Sequence, residues 1–321
     1  MDTPLRRVPA FVQRQLASPD ARRAELAAGL AATPAALSPK FLYDALGSRL
    51  FDAITELPEY YPTRTEASIM AAQRDEIAAA CGRGRTLVDL GAGNCAKAAA
   101  LFATLAPARY VAVDISVDYL RQALACLQRE HPGVDMLGVG MDFAQQLALP
   151  PEAGDGPRTV FYPGSSIGNF TPAQALHFLR QAHAACAGGT LLIGVDLVKP
   201  ADVLEPAYDD PLGVPAAFNL NLLRHVNAQL GSDFDVRQWR HVAFFDAAAS
   251  RIEMHLEARE DLTVRWQGGA RRFDAGERMH TENSYKYRPD DFAALLRDAG
   301  FAEPQCWTDP RGWFAVFAAR A

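Results

Sequence analysis

A buried strand that runs directly into a glycine turn is the feature that most constrains the fold of this chain. Residues 86–90 read Thr-Leu-Val-Asp-Leu, and Gly91-Ala92-Gly93 follows before a helical stretch that begins near Ala96. A short apolar run bounded by glycine predicts a strand buried on both faces. Glycine at the turn allows the backbone to approach a ligand without a Cβ in the way. The pattern therefore predicts an α/β sheet with a ligand-binding turn at a strand end.

Strand and helix patterns alternate along the middle of the chain, which is typical of a parallel sheet. Capping-box patterns predict two helix starts: Thr171 with Gln174, and Thr63 with Glu66, the second helix running to about residue 80. The other predicted elements are strands over 110–115, 136–140, 160–162, 190–195, 304–308 and 313–318, and helices over 117–130 and 289–299.

Two segments interrupt this alternation. Residues 1–62 read as a helical lead-in, and residues 199–285 begin with helices and turn into a β-meander. In the meander, Ile252, Met254 and Leu256 alternate with polar residues, as in a half-buried strand. We therefore expect two domains: a core formed by 63–198 and 286–321, and a second domain formed by 1–62 and 199–285.

Composition excludes several classes of protein. The 321 residues carry 32 Lys and Arg against 38 Asp and Glu, and no basic stripe is present, so we expect no nucleic-acid partner. No stretch has the length and apolar character of a signal peptide or a membrane span, so we expect a cytoplasmic protein without a membrane contact. The 5 cysteines include no CxxC pair and the 7 histidines form no close cluster, so neither a metal nor a disulfide is expected.

Acidic residues at the ends of the next two strands extend the glycine turn into a candidate nucleotide site. Asp114 is placed to hold ribose hydroxyls, and Asp142-Phe143 suits an adenine amino group and an adenine face. A glycine turn of this kind serves NAD and S-adenosylmethionine alike, and it also occurs without any ligand. Ala96 at the position of a third glycine, together with Asp142-Phe143, favours S-adenosylmethionine over NAD.

A second loop follows the strand predicted over 160–162, at the edge where open α/β sheets bind ligands. It reads Pro-Gly-Ser-Ser-Ile-Gly-Asn-Phe from residue 163 to residue 170. In amine methyltransferases this position faces the methyl donor, so Gly164 offers a carbonyl near the reacting nitrogen and Asn169 can donate to a carboxylate. A helix-capping loop explains Thr171 and Pro172 but leaves the two glycines without a role.

With these motifs the sequence resembles the histidine Nα-methyltransferases of ergothioneine biosynthesis, which form hercynine. The matching stretches extend from about residue 38 to the C-terminus, and they are FLYDALGSRLFDAITELPEYYPTRTEA, LVDLGAGNCAK, FYPGSSIGNF, GVDLVKP, AYDDPLGVPAAFNLNLL, RIEMHLEAR and ERMHTENSYKY. The resemblance implies an α/β fold: a Rossmann-like class I methyltransferase core with a seven-stranded, mostly parallel sheet, and a second, α+β substrate-binding domain.

The resemblance also implies the site residues and their roles. The donor S-adenosyl-L-methionine, which leaves as S-adenosyl-L-homocysteine, would be bound by Gly91, Gly93, Lys97, Asp114, Asp142 and Phe143. The carboxylate of L-histidine would be held by Asn169 and Tyr208, and its imidazole by Glu282 and Ser284. Tyr60 would close over the ring, Met254 would line it, and Tyr43 and Phe51 would lie near the amine. The catalytic set is then Tyr43, Gly164 and Asn169.

The reaction that these residues imply is an in-line displacement of the sulfonium methyl by the α-amino nitrogen, repeated three times to give a trimethylammonium product. Most of the acceleration would come from alignment of nitrogen, methyl and sulfur. Tyr43, directly or through water, is the expected proton acceptor. The protein is expected to act as a monomer, with a pathway link to an iron-dependent sulfoxide synthase.

Three alternatives stay open. Fungal relatives in ergot alkaloid synthesis methylate another amino-acid α-amine, that of a prenylated tryptophan, although a larger apolar ring has no use for Glu282. A Rossmann dehydrogenase would use the same glycine turn for a nicotinamide cofactor. A protein that only senses S-adenosylmethionine would need the donor residues but not Asn169, Tyr208 and Glu282 together.

Overall fold

The structure, a computed structural model, describes residues 7–14 and 18–321. Its strands are β1 (Ala10–Gln13), β2 (Thr86–Leu90), β3 (Arg109–Asp114), β4 (Asp135–Gly140), β5 (Arg158–Tyr162), β6 (Thr190–Asp196), β7 (Trp239–Asp246), β8 (Arg251–Ala258), β9 (Leu262–Trp266), β10 (Gly269–Phe273), β11 (Arg278–Tyr285), β12 (Ala302–Thr308) and β13 (Phe314–Arg320).

The helices alternate with these strands through the middle of the chain. They are α1 (Pro19–Ala31), α2 (Ala45–Thr55), α3 (Tyr61–Ala72), α4 (Arg74–Cys81), α5 (Ala96–Ala99), α6 (Phe102–Leu105), α7 (Val117–Glu130), α8 (Pro172–Cys186), α9 (Ala201–Leu204), α10 (Val214–Leu230) and α11 (Pro289–Asp298). Short 3₁₀ segments occupy Pro39–Leu42, Pro151–Ala153, Ser166–Asn169, Glu205–Ala207 and Val236–Gln238.

The first of two compact units contains residues 7–14, 62–197 and 287–321. Its central sheet has the strand order β1-β4-β3-β2-β5-β6-β13-β12, with parallel pairing from β1 to β6 and an antiparallel hairpin, β12 and β13, at the β6 edge. The predicted α/β class with a mostly parallel sheet is therefore confirmed.

The described part of this sheet has eight strands rather than the seven expected from the sequence. The additional strand is β1, which pairs in parallel with β4 between Ala10↔Leu137 and Gln13↔Gly140. The sequence predicts that residues 1–62 are a helical part of the second domain, and this prediction is wrong for residues 7–14, which group with the first unit. Four residues are too few to show a strand period, so pairing with β4 rather than local pattern defines β1. The helical lead-in predicted for residues 1–6 and 15–17 lies outside the described residues.

Both faces of the sheet are covered, as a parallel sheet requires. All seven residues of β6 are buried. Along β3, Val111 and Val113 belong to one hydrophobic cluster, whereas Tyr110 and Ala112 belong to another. Side chains therefore alternate between two cores, and little polar chemistry can lie within the strands.

The two capping-box predictions have opposite outcomes. Thr171 caps α8 and exchanges hydrogen bonds with Gln174, so that prediction is confirmed. The prediction for Thr63 and Glu66 is wrong, because α3 already begins at Tyr61 and the Glu66 carboxylate bonds to other elements. The expected single helix is also two, since the chain leaves helical geometry at Gln73, between α3 and α4.

The second unit contains residues 18–61 and 198–286. Its sheets have the strand orders β11-β8-β7 and β10-β9, all antiparallel, and α10 contacts α1, α2 and β7. In β8, Ile252, Met254 and Leu256 are buried, which confirms the half-buried strand predicted from their alternation. Within the described residues, no helix has the length and apolar character needed to cross a membrane.

The position of β1 can be tested at Gly138 in β4. A Cβ there would lie 2.4 Å from Cδ2 of Phe11, so Gly138→Ala must displace the Phe11 ring or the backbone that carries it. We expect a loss of about 1–3 kcal/mol in the free energy of unfolding, the usual cost of overpacking. Gly133→Ala, which meets nothing within 4 Å, is the matched control and should leave stability nearly unchanged. Equal denaturation midpoints for the two variants would contradict this placement of Phe11.

Candidate active site

The strand order of the first unit reverses between β2 and β5. From β2 the chain continues outward through β3 and β4, whereas β5 and β6 extend in the other direction. In an open α/β sheet, the crevice beyond the carboxyl ends of the strands at such a reversal binds ligands. The glycine turn follows β2, and the loop that contains Gly164 follows β5, so both predicted loops lie at this point.

The glycine turn leaves open space next to an aromatic ring. Gly91 has a φ of 71°, which side chains rarely adopt, and its N–H donates to the carbonyl of Val113 at 2.9 Å. A Cβ on Gly91 would meet within 4 Å only the Phe143 ring, whose Cζ would be 3.8 Å away. A ligand can therefore approach this turn next to the Phe143 ring, and the residues present fit S-adenosylmethionine.

Asp114, at the end of β3, fixes the conformation of this turn. Its Oδ2 accepts the N–H of Gly93 at 2.9 Å, and its Oδ1 accepts the N–H of Ser116 at 2.8 Å. Burial raises the pKa of Asp114, while these backbone donors oppose the rise. Each carboxylate oxygen has a second lone pair, so the side chain can still accept hydrogen bonds from ribose hydroxyls.

The two residues predicted to bind adenine follow β4. Asp142 is buried, and the Phe143 ring packs against Tyr162 and Phe178 with ring centroids 5.9 and 6.1 Å apart. Phe143 is thus supported from behind by aromatic rings of β5 and α8, which limits its rotation.

Asp89, the acidic residue within β2, contributes a further buried carboxyl group. Tyr110 donates to its Oδ2 at 2.7 Å, and burial raises the pKa of Asp89 to about 7. Its Oδ1 is buried and accepts no hydrogen bond within the described residues. An unsatisfied oxygen next to the glycine turn is costly unless a ligand or water donates to it.

A glutamate that the sequence analysis read as a helix cap joins the two loops. Oε2 of Glu66 accepts from Nζ of Lys97 at 2.8 Å, and its Oε1 accepts from the N–H of Gly164 at 2.8 Å. Glu66 is only 1% exposed. Sequence reasoning missed this role because Glu at that spacing from Thr63 is also the signature of a capping box.

The loop after β5 has two consecutive residues with left-handed backbone geometry. Gly164 has a φ of 76° and Ser165 a φ of 59°, and Ser165 Oγ accepts the N–H of Asp196 at 2.9 Å. Such geometry in a serine persists only where the surroundings hold it. Asn169 ends the 3₁₀ segment of this loop. Gly164 and Asn169 therefore share one rigid loop.

In the second unit, a β-bulge aligns the predicted imidazole residues. The register of β11 on β8 shifts between His280 and Glu282, so Glu282 pairs with Met254 and Ser284 with Ile252. Residues directly opposite in an antiparallel pair lie on the same face. Glu282, Ser284 and Met254 consequently share the buried face, while Thr281, the extra residue, donates to the Met254 carbonyl at 3.0 Å.

The Glu282 carboxyl group is buried without full hydrogen bonding. It is 7% exposed, and its Oε2 accepts no hydrogen bond within the described part of the chain. Burial raises the pKa of Glu282 to about 7, and the charge of Lys286 opposes that rise. This side chain is the strongest indication in the second unit of a ligand that donates a hydrogen bond.

Tyr208 and Ser284 are joined by a lysine that the sequence analysis did not select. Tyr208 Oη and Ser284 Oγ are 2.8 Å apart, and Lys286 Nζ donates to them at 2.8 and 2.9 Å. Lys286 is 3% exposed. The signal was present in the sequence, since Glu282, Ser284 and Lys286 alternate and therefore share one strand face.

The remaining aromatic residues of the predicted site form one cluster. Ring centroids are 5.6 Å apart for Tyr43 and Phe51, 6.1 Å for Phe51 and Tyr60, and 6.4 Å for Tyr60 and Tyr208. Phe218 of α10 completes the cluster at 5.4 Å from Tyr43 and was not selected from the sequence. Its position on a helix that is buried along much of its length made it indistinguishable from core.

The first unit has a doubly wound sheet that ends in an antiparallel hairpin, and the glycine turn at its point of reversal leaves open space beside the Phe143 ring. Comparison with known proteins identifies the family. A family model described as "Histidine-specific methyltransferase, SAM-dependent" matches residues 22–321. The chain belongs to this family of histidine-specific, S-adenosylmethionine-dependent methyltransferases.

Relatives of known name cover most of the chain. It is 44% identical over 304 residues to the histidine N-alpha-methyltransferase of Mycolicibacterium smegmatis, covering 92% of this chain and 94% of the relative. The protein of the same name from Mycobacterium tuberculosis is 43% identical over 303 residues, again covering 92% and 94%. Ergothioneine biosynthesis protein 1 of Neurospora crassa is 29% identical over 284 residues, which are 86% of this chain and 32% of that protein.

The space beside Phe143 can be tested with two glycine variants. Gly91→Ala and Gly84→Ala introduce a side chain at a φ of 71° and 74° respectively, so both should lose stability through backbone strain. Only Gly91 lies at the turn, and we expect Gly91→Ala to weaken the binding of S-adenosylhomocysteine by about tenfold or more, as measured by calorimetry. Equal affinities in the two variants would place the nucleoside elsewhere.

Proposed function

We propose that this enzyme transfers three methyl groups from S-adenosylmethionine to the α-amino nitrogen of L-histidine, giving hercynine in the first step of ergothioneine biosynthesis. The names of the bacterial relatives and of the Neurospora crassa protein support the substrate and the pathway. The observation on this chain that carries the proposal is the buried, incompletely bonded carboxyl group of Glu282.

Glu282 distinguishes an imidazole from an apolar ring. A buried carboxylate oxygen without a donor costs free energy, and an imidazole N–H supplies that donor. A ring that has no N–H at this point leaves the oxygen unsatisfied, and sites built around a hydrogen bond reject such analogues strongly. Met254, directly opposite on β8, provides an apolar, polarizable surface for the ring itself.

The hydrogen-bonded group of Tyr208, Ser284 and Lys286 is suited to the second imidazole nitrogen and the carboxylate of histidine. Lys286 donates to both Tyr208 Oη and Ser284 Oγ, and one of these two hydroxyl groups donates to the other. We assign Ser284 to the second imidazole nitrogen and Tyr208 to the substrate carboxylate. Lys286 holds the two hydroxyl groups in position and places positive charge near that carboxylate.

The aromatic cluster suits a substrate nitrogen that becomes permanently charged. Tyr43, Phe51 and Tyr60 present rings whose faces attract cations, including a trimethylammonium group. Tyr60 is assigned to close over the imidazole ring. Tyr43 is assigned to receive the proton released by the amine, directly or through water.

In the first unit, each predicted residue is assigned to one part of S-adenosylmethionine. Gly91 and Gly93 give room for the nucleoside, Asp114 accepts from the ribose hydroxyls, and Asp142 with Phe143 binds the adenine. Lys97 is assigned to the carboxylate of the donor's amino-acid portion. When bound, S-adenosylmethionine supplies an electrophilic methyl group on sulfur. In the loop after β5, the Gly164 carbonyl is assigned to orient the amine, and the Asn169 amide to donate to the substrate carboxylate.

A methyltransferase for a different amino-acid α-amine, such as that of a tryptophan derivative, would use the same donor site. An indole also carries one N–H that can donate to Glu282, but it has no second ring nitrogen for Ser284, so the pair of residues suits an imidazole better. We also propose that the enzyme is a monomer, that it is cytoplasmic, and that it acts in one pathway with an iron-dependent sulfoxide synthase.

The direct test is mass spectrometry of the products formed from S-adenosylmethionine and each amino acid separately. We expect gains of one, two and three methyl groups on L-histidine alone. Glu282→Gln should lower kcat/KM for histidine about 10- to 100-fold, since a hydrogen bond to a charged group is lost. Glu253→Gln, on the other face of β8, should leave the activity unchanged. Methylation of an indole substrate instead of histidine would refute the imidazole assignment.

Glu282 should also reveal itself in the pH dependence of stability. Its pKa in the folded protein, about 7, lies above the value of 4.5 expected when unfolded, so its contribution to stability is present below pH 4.5 and is lost as the pH rises through 7. From pH 5 to pH 8, Glu282→Gln should therefore gain up to about 3 kcal/mol relative to the wild type. Denaturant titrations of both proteins measure this difference, and parallel pH profiles would mean that the carboxyl titrates normally.

A further inference from the structure

We propose that Glu66 is a positioning residue for binding of the methyl donor. Its carboxylate holds the ammonium group of Lys97 and the peptide of Gly164 in the positions that binding requires. The inference rests on the proposed role of Lys97 as a donor ligand and does not depend on the identity of the amine. Glu66 itself is assigned no contact with substrate or donor.

The contacts of Glu66 span the point where the strand order reverses. Lys97 follows the glycine turn after β2, whereas Gly164 belongs to the loop after β5. One carboxylate oxygen serves each of them, at 2.8 Å in both cases. A single side chain from α3 thus links the two loops that border the crevice.

The carboxylate has little freedom to move away from these partners. It lies against the backbone of β6, where a Cβ on Gly194 would be 1.9 Å from Oε1 of Glu66. The absence of a side chain at Gly194 is therefore what allows the carboxylate to occupy this place. With 1% exposure, the carboxylate depends on Lys97 and the Gly164 N–H for compensation of its charge.

The ammonium group of Lys97 keeps N–H donors for a ligand after it has bonded to Glu66. Its side chain is 33% exposed, and within the described residues Glu66 is the partner of its ammonium group. An ammonium has three N–H donors, so two remain for a ligand. Lysine has a long, flexible stem, and fixing it beforehand reduces the entropy lost when a donor binds.

The second contact supports a strained loop. Left-handed geometry is unstrained in Gly164, but in the adjacent Ser165 it persists only where neighbouring contacts hold it. Ser165 is held by its bond to the N–H of Asp196, and the peptide of Gly164 is held by Glu66. Loss of Glu66 would therefore affect both loops at the crevice, although neither loop supplies the glutamate.

The test measures the affinity for S-adenosylhomocysteine by calorimetry, without a methyl acceptor present. Glu66→Gln removes the charge but keeps an oxygen that can accept from Gly164, and it should weaken binding about tenfold or more. Lys97→Met should weaken binding to a similar extent, and the double variant should be little worse than Lys97→Met alone because the two residues act through one contact. In turnover, KM for S-adenosylmethionine should rise more than kcat falls.

A matched control is available in Glu257, which is also buried and is paired with Arg240 and Arg278 in the second unit. Glu257→Gln removes a buried charge of the same kind and should leave the affinity unchanged. If Glu66→Gln does not fold, Gly194→Ala retains the charge and displaces the carboxylate, and it should weaken binding as well.

The possible failures are distinct. If Lys97→Met binds S-adenosylhomocysteine with unchanged affinity, Lys97 does not bind the methyl donor, and the inference about Glu66 is wrong. Weakened binding in Lys97→Met with unchanged binding in Glu66→Gln, or additive losses in the double variant, would show that Glu66 does not act through Lys97. Neither outcome bears on whether histidine is the methyl acceptor.

Discussion

Burial of the central sheet on both faces is the constraint on which the chemistry of the first unit depends. Because β6 is buried throughout and β3 alternates between two cores, polar groups within the strands would be costly. Ligand-binding groups are therefore confined to the strand ends and the loops that follow them. The reversal of strand order between β2 and β5 then determines which ends are open to a ligand.

Buried carboxyl groups recur at the positions that matter most. Asp89 and Asp114 are at the glycine turn, and Glu282 is on the buried face of β11; burial raises the pKa of each. Glu66 is buried too, but Lys97 and a backbone donor compensate it. The contrast separates two uses of a buried acid. A carboxylate whose two oxygens both have donors, as in Glu66 and Asp114, fixes the geometry of its neighbours. Asp89 and Glu282 each have one oxygen without a donor within the described residues, which favours a ligand that brings one.

Much of this organisation was predictable because it depends on local pattern. Apolar runs ending in glycine or an acid located the strands, and the alternation around Met254 located β8. The features that the sequence did not predict depend on tertiary contacts. The strand β1 exists only through its pairing with β4, and Glu66 obeys the local rule for a cap while bonding across the sheet. Strict alternation along β11 places Glu282 and Met279 on opposite faces of the strand. In the structure the bulge at Thr281 brings them to the same face, and nothing in the sequence predicts this bulge.

The titration of Glu282 has a consequence for the energetics of ligand capture. With a pKa of about 7, this carboxyl group carries a proton in a substantial fraction of the unliganded molecules at neutral pH. A ligand that presents an N–H selects the ionised form, so its arrival expels that proton into the solvent. Binding at this face is thus coupled to a proton transfer to the buffer. The heat released will accordingly depend on the ionisation enthalpy of the buffer, even when the contacts formed are the same.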